Sequence, residues 1–226
     1  MIEPAARATL RAAAAHVVVD DVERPALDDA TAHHLFRVLR VRDGDVVTTT
    51  DGRGRWRVCR AVGGDVAPDG DVRTVPDRSS ACTVAFAIPK ADRPEWIVQK
   101  LTEIGVARIA LLHTERSVVR WDADRADRHL VKLRRVAVEA LEQSRGVWLP
   151  EIDGPLQASD VLPAMAVAEP GGRPLARADS SLAIGPEGGW SPTELALAPD
   201  QVELSPTVLR VETAALVAGA MLTSRD

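Results

Sequence analysis

The sequence predicts an α/β protein with a largely parallel sheet in its C-terminal two-thirds and a small β-rich domain before it. Three observations predict this. Beyond residue 80, short apolar runs alternate with helix-forming segments, the pattern of strands joined by crossover helices. The first seventy-odd residues instead carry β-prone runs, with Asp43-Gly44 and Asp51-Gly52 marking turns between them. Between the two lies GGDVAPDGDVRTVPDRSS at 63–80, rich in Gly, Pro, Asp and Ser. This stretch reads as a linker and places a domain boundary near its end, giving domains 1–76 and 77–226.

The N-terminal strands are expected at 17–19, 45–50, 56–62 and 72–75, as a small β-barrel. One helix interrupts them: Asp28 or Asp29 suits its cap, and His34, Leu35, Val38 and Leu39 form its apolar stripe. The second domain opens with a strand at 83–88. A helix follows at 94–104, closed by Gly105. A strand at 108–112 precedes a long amphipathic helix at 125–143. Further strands are expected at 164–168, 181–184 and 202–204, and an alanine-rich helix at 212–222 ends the chain.

With 226 residues, 46% of them hydrophobic, the chain has material for a substantial core. There is no Tyr, and Phe36 and Phe86 are the only Phe, so Ala, Val, Leu and Ile must fill that core. No apolar run is long enough to span a bilayer, and Arg7 and Arg11 flank too short an alanine tract for a signal peptide. A soluble, cytoplasmic protein without a membrane partner is expected. Cys59 and Cys82 lack C-x-x-C spacing and read as buried structural residues. His16, His33, His34, His113 and His129 show no ligand spacing, so no metal site is expected.

A net charge of -5 conceals an uneven distribution. Between His33 and Arg60 stand Arg37, Arg40, Arg42, Arg53, Arg55, Arg57 and Arg60 against Asp43, Asp45 and Asp51. After Gly146 only Arg173, Arg177, Arg210 and Arg225 face eleven acidic residues. A local basic face can hold a phosphate backbone even on an acidic protein, although such runs also occur as plain solvated surface.

The sharpest local signal is Ala183-Ile184-Gly185-Pro186-Glu187-Gly188-Gly189-Trp190-Ser191-Pro192-Thr193-Glu194. An apolar strand stops at a glycine turn, and a helix starts with Ser191 as N-cap, Pro192 at the first helical position and Glu194 completing a capping box. Such a turn at the carboxyl end of a strand is where α/β sheets bind ligands, though it also serves as a plain connection. A second loop, Leu204-Ser205-Pro206-Thr207-Val208-Leu209-Arg210-Val211-Glu212-Thr213-Ala214, enters the last helix with Arg210 and Glu212 as a charge pair. The dinucleotide fingerprint, the P-loop and the G-x-S-x-G elbow are all absent.

These blocks resemble the RsmE-type 16S rRNA uracil-N3 methyltransferases of the SPOUT class. The resemblance covers nearly the whole chain. It is carried by HHLFRVLR at 33–40 with Gly44-Asp45, KADRPEWIVQKLTEIG at 90–105, Glu115-Arg116-Ser117, EALEQS at 139–144 with Pro150, Gly185-Pro186-Glu187-Gly188-Gly189, and LRVETA at 209–214. The resemblance implies a PUA-like N-terminal β-barrel and a SPOUT-type parallel sheet with a trefoil knot, which would be an exception to the rule that chains are not knotted. It also implies a homodimer acting on 16S rRNA or the small ribosomal subunit. S-adenosylmethionine would be held by Ile184, Gly185, Pro186, Glu187, Gly188 and Gly189, by Leu204, Ser205, Val208, Leu209 and Thr213, and by a third wall around Val167 and Glu169. Arg210 would stabilise charge on the uracil, and Glu212 or a water would take its proton. Arg37, Arg40, Arg42, Lys90, Arg93, Lys100, Arg116 and Arg145 would follow the RNA phosphates.

The chain departs from the family pattern at several positions. Ser205 stands where the family usually has Gly and would crowd the cofactor if that position needs a positive φ. Thr207 stands in place of Arg, Arg145-Gly146 reverses the usual order, and the usual Arg-Phe-Phe start is missing. Two other readings stay open: an RNA-binding or ribosome-assembly protein that kept the fold without catalysis, and an enzyme holding a phosphate-bearing small molecule in its glycine turn.

Overall fold

The computed structural model describes residues 2–76, 82–176 and 178–224. The expected boundary at 76/77 adjoins residues 77–81, which lie outside the described residues, as do Arg177 and Arg225. The chain forms two compact units: Met1–Arg78 with Val138–Leu149, and Ser79–Ala137 with Pro150–Asp226.

The first unit contains helix α1 (Pro4–Ala12), strand β1 (Ala15–Val18), helix α2 (Asp29–His33), and strands β2 (Val46–Thr50), β3 (Arg55–Val62), β4 (Asp65–Pro68) and β5 (Arg73–Thr74). The sheet runs β1-β2-β3-β4, with β5 also paired to β3. β1 and β2 are parallel, and the other pairs are antiparallel. Its core joins Val17, Val19, Val22, Leu35, Val47, Cys59 and Ala61.

Three features of this unit differ from the expectation. The alanine-rich start is a helix, with Pro4 in its first turn and Ala6 and Leu10 burying one face beside Trp56, Val75 and Val147. β4 lies inside the stretch expected to be a linker, because Asp65–Pro68 returns antiparallel along β3. Helix α2 is capped by Asp28, whose carboxylate accepts from the Thr31 amide at 2.7 Å, but it continues as a π turn over His34–Val38. The wider turn, closed by Leu39 N–H to His34 O, shifts later residues off the expected stripe. Leu35 is buried, while Val38 and Leu39 are 58% and 51% exposed.

Residues 138–149 complete this unit. Two backbone hydrogen bonds tie them to the glycine-flanked turn after β2: Gly54 N–H donates to Val147 O and Leu149 N–H to Gly52 O, at 2.7 and 2.8 Å. The Val18 amide donates to Glu142 at 2.9 Å, and burial pushes the Glu142 carboxyl up. His16 bridges Thr48 Oγ1 at 2.8 Å and Gly146 O at 2.7 Å, and burial lowers its pKa from 6.5 to about 4. A neutral imidazole satisfies both partners, with Nε2–H donating to the carbonyl and Nδ1 accepting from the hydroxyl. The order Arg145-Gly146 has a packing reason: a Cβ on residue 146 would lie 2.5 Å from Leu141 Cδ1. Arg145 takes the left-handed position, φ +61°, and donates to Ala13 O at 3.2 Å.

The second unit has the expected α/β fold, without residues 138–149. Its strands are β6 (Thr83–Ala87), β7 (Arg108–His113), β8 (Glu151–Gln157), β9 (Ala166–Pro174), β10 (Ser181–Ile184) and β11 (Gln201–Glu203). All are parallel, in the order β11-β9-β10-β6-β7-β8. The helices are α3 (Arg93–Ile104), α4 (Ala123–Ser144), α5 (Ala158–Val161), α6 (Pro192–Leu197) and α7 (Val211–Thr223). Strand β8 is an addition to the expectation. Its Gly154-Pro155 reads as a turn, but β8 is an edge strand, where a missing amide is tolerated. Strand β9 runs past residue 168 because its far end pairs with β11 through a register shift. Ala85, Leu112, Leu162, Val167, Ala183 and Trp190 form one core cluster. Each fully buried large apolar side chain of this kind contributes about 1.5–3 kcal/mol.

Candidate cofactor cavity

Strand order locates the site. β6 is central; the chain builds outward through β7 and β8, then crosses to β9, and β10 fills the place between β9 and β6. Ligands of open α/β sheets bind beyond the strand ends at such a reversal. Here the carboxyl ends of β10 and β11, with residues 168–170 in the middle of β9, surround a cavity of about 390 Å³.

The first wall is the turn after β10. Gly189 N–H donates to Pro186 O at 2.9 Å, closing the turn. Trp190 folds beneath it, 4% exposed, and donates from Nε1 to Ala168 O at 3.2 Å. Gly185 suits this packing, since a Cβ there would sit 3.0 Å from the indole and press on it. Helix α6 starts as expected: Ser191 Oγ accepts from Glu194 N–H at 3.1 Å, and Glu194 Oε2 accepts from Ser191 N–H at 2.9 Å. The other Glu194 oxygen accepts from the Glu115 amide at 2.8 Å. Glu194 is 2% exposed, so one buried carboxylate joins the start of α6 to the loop after β7. Arg116 donates to Gly188 O at 3.1 Å from the same loop.

The second wall, residues 204–210, is held more lightly. Ser205 Oγ accepts from Thr207 N–H at 3.2 Å and lies 3.0 Å from Thr207 Oγ1. Ser205 is not among the residues with positive φ. The position therefore does not demand glycine, and the expected crowding from the backbone does not arise. Val208 is 86% exposed.

Ten of the expected cofactor residues line the cavity: Glu169, Ile184, Gly185, Pro186, Glu187, Gly189, Leu204, Ser205, Val208 and Leu209. Val167, Gly188 and Thr213 do not. Val167 is wholly buried within the sheet, Gly188 faces Arg116, and Thr213 is exposed on the first turn of α7. Sequence reasoning missed Ala168, Pro170, Trp190, Glu203, Thr207, Val211 and Ala214, which with Arg210 complete the lining. Trp190 directly follows the paired glycines, and that adjacency was the available signal.

Arg210 lines the cavity at the N-cap of α7, exposed, its side chain with no hydrogen bond or ion pair among the described residues. It does not pair with Glu212, as the sequence suggested. The Glu212 carboxylate instead faces Arg93 Nε at 3.7 Å, and its Oε2 is buried without a hydrogen-bond partner. Arg93 also reaches Glu187 at 3.3 Å. One guanidinium thus links the glycine turn to the first turn of α7. The expected RNA-contacting side chains divide accordingly. Arg93, Lys100, Arg116 and Arg145 are engaged internally, Lys100 with Glu103 at 2.8 Å. Arg37, Arg40, Arg42 and Lys90 are exposed, with side chains free of such partners among the described residues.

Among the described residues, no cluster of His, Cys, Asp and Glu could hold a metal ion, and no helix is long and apolar enough to cross a membrane.

Comparison with known proteins matches residues 76–223 to the RNA methyltransferase domain and residues 27–60 to the RNA methyltransferase PUA domain. The ribosomal RNA small subunit methyltransferase E of Mycobacterium bovis is 33% identical over 88% of this chain and 87% of its own. That of Synechocystis is 32% identical over 87% of this chain and 71% of its own. The structure of ribosomal RNA small subunit methyltransferase E from Neisseria gonorrhoeae bound to S-adenosyl methionine gives a TM-score of 0.77 at 24% identity. It covers 93% of this chain and 97% of that one, a likeness of fold. The cavity at the strand reversal, the matched domains and the curated relatives together show that the chain belongs to the RNA methyltransferase family of ribosomal RNA small subunit methyltransferase E.

Proposed function

We propose that the protein transfers a methyl group from S-adenosylmethionine to N3 of a uridine in small-subunit rRNA, working in the cytoplasm as a homodimer with a knotted cofactor site. The observation that carries this reading is the cavity of about 390 Å³ among three adjacent parallel strands, at the ends of β10 and β11 and beside β9. Its size suits a ligand of nucleoside dimensions, and the turn after β10 brings backbone close to whatever it holds.

The residues supply the parts such a reaction needs. N3 of uracil becomes a good nucleophile as the imide anion, whose charge spreads onto O2 and O4. Arg210, exposed at the cavity and unpaired, can meet that charge. The walls hold the donor in place, so that attack becomes effectively intramolecular. S-adenosylmethionine supplies the electrophilic methyl group when bound. Arg93 holds Glu212 near the entrance of α7, and a water or Glu212 takes the N3 proton. Arg37, Arg40, Arg42 and Lys90 are the side chains we assign to RNA phosphates, because their charges are uncommitted.

The test is calorimetric titration with S-adenosylmethionine, together with mass-spectrometric mapping of 3-methyluridine in 16S rRNA from cells with and without the gene. Binding and loss of one 3-methyluridine are expected. No cofactor binding, or an unchanged modification map, overturns the proposal.

A further inference from the structure

We infer that the charge on the cavity wall selects the methylated cofactor over its demethylated product. This rests on the reading of the cavity as the S-adenosylmethionine site. The charged residues lining it are Glu169, Glu187, Glu203 and Arg210. Glu187 meets Arg93 at 3.3 Å, a guanidinium it shares with Glu212 at 3.7 Å. Glu203 accepts a hydrogen bond from the Gly171 amide at 3.1 Å, a partner that brings no opposite charge. The Glu169 carboxylate has no hydrogen bond or ion pair among the described residues. The carboxylates of the lining residues therefore outnumber their one guanidinium, leaving the wall with negative charge in excess. Much of the remaining lining is apolar, including Pro170, Ile184, Trp190 and Leu204. An apolar surround weakens screening and makes that excess felt by a ligand.

S-adenosylmethionine carries a sulfonium beside a zwitterionic amino-acid group, for a net charge of one positive. Methyl transfer breaks the S–CH₃ bond with its electron pair left on sulfur. The N3 lone pair forms the new N–CH₃ bond, and the N3 proton passes to water or a carboxylate. The ligand left behind is a neutral thioether. The wall that attracted the donor has no charge to attract in the product. Glu169 and Glu203, on the paired strands β9 and β11 or at their ends, are the specificity-determining residues.

Calorimetry on the full chain tests this with three ligands: S-adenosylmethionine, S-adenosylhomocysteine and sinefungin, whose ammonium replaces the sulfonium. The wild type should prefer both cationic ligands by about tenfold, the factor that about 1.4 kcal/mol supplies. The pair Glu169→Gln and Glu203→Gln should bring that preference close to one by weakening the cationic ligands alone. Glutamine keeps an acceptor for Gly171, and a matching unfolding midpoint will confirm that the variant is folded. Equal affinities in the wild type overturn the inference, as does a preference that survives both substitutions. Absence of binding by all three ligands overturns the cofactor reading itself.

Discussion

The two walls of the cavity are built to different standards. The turn after β10 rests on a buried indole, a capping box and a buried carboxylate that reaches the loop after β7. The loop after β11 has one serine-to-threonine turn and an almost fully exposed valine. The braced wall is formed before any ligand arrives, whereas the lighter wall retains freedom that a ligand can remove. Stability should therefore be concentrated in the first and chemistry in the second.

The sharpest separation comes from Arg210→Ala on the lighter wall. Turnover should fall by about 10²–10³, as for loss of one charge-stabilising donor, with the unfolding midpoint unchanged. Single-turnover methylation beside a thermal melt measures both. Trp190→Ala on the braced wall should do the reverse, removing about 3–5 kcal/mol in urea denaturation through the cavity it leaves. If Trp190→Ala leaves stability intact, the contrast between the walls fails.

Acid provides a probe that bypasses both walls. The His16 pKa is lowered to about 4 in the fold against 6.5 ordinarily, so the unfolded chain takes up its proton first as pH falls. The stability this neutral histidine contributes is complete above about 6.5 and is lost as pH falls through about 4, roughly 3 kcal/mol in all. His16→Gln should flatten that window in a pH series of denaturation curves.

Smaller effects refine the contrast. Glu194→Gln turns an NH₂ toward an amide that needs an acceptor and should lower stability by about 2 kcal/mol, read by denaturation. Ser205→Ala should remove only about 0.5–1 kcal/mol of local order. It should weaken cofactor binding a few-fold and speed amide exchange at Thr207, without moving the melt.

What could be read from the sequence follows the range of the forces involved. The capping box at Ser191 and Glu194 was legible because both partners lie within one turn. The parallel sheet was legible from alternating apolar runs. The Glu194 bond to Glu115 and the Arg93 bridge were not, since each joins residues far apart in the chain. The exposed Val38 and Leu39 were misread because a π turn leaves no mark in a 3.6-residue pattern. Helix α1 was overlooked because alanine carries little periodic contrast, although Ala6 and Leu10 lie on its buried face.

The docking of residues 138–149 onto the N-terminal sheet has a consequence for biosynthesis. Gly146 O and Val147 O reach His16 and Gly54 only once the polypeptide has been made past the middle of its length. Domains ordinarily fold as they emerge, first the N-terminal one. Here the leading domain must wait, its last pieces delivered by a helix that belongs in part to its successor, and a fragment cut at residue 76 would be born without them.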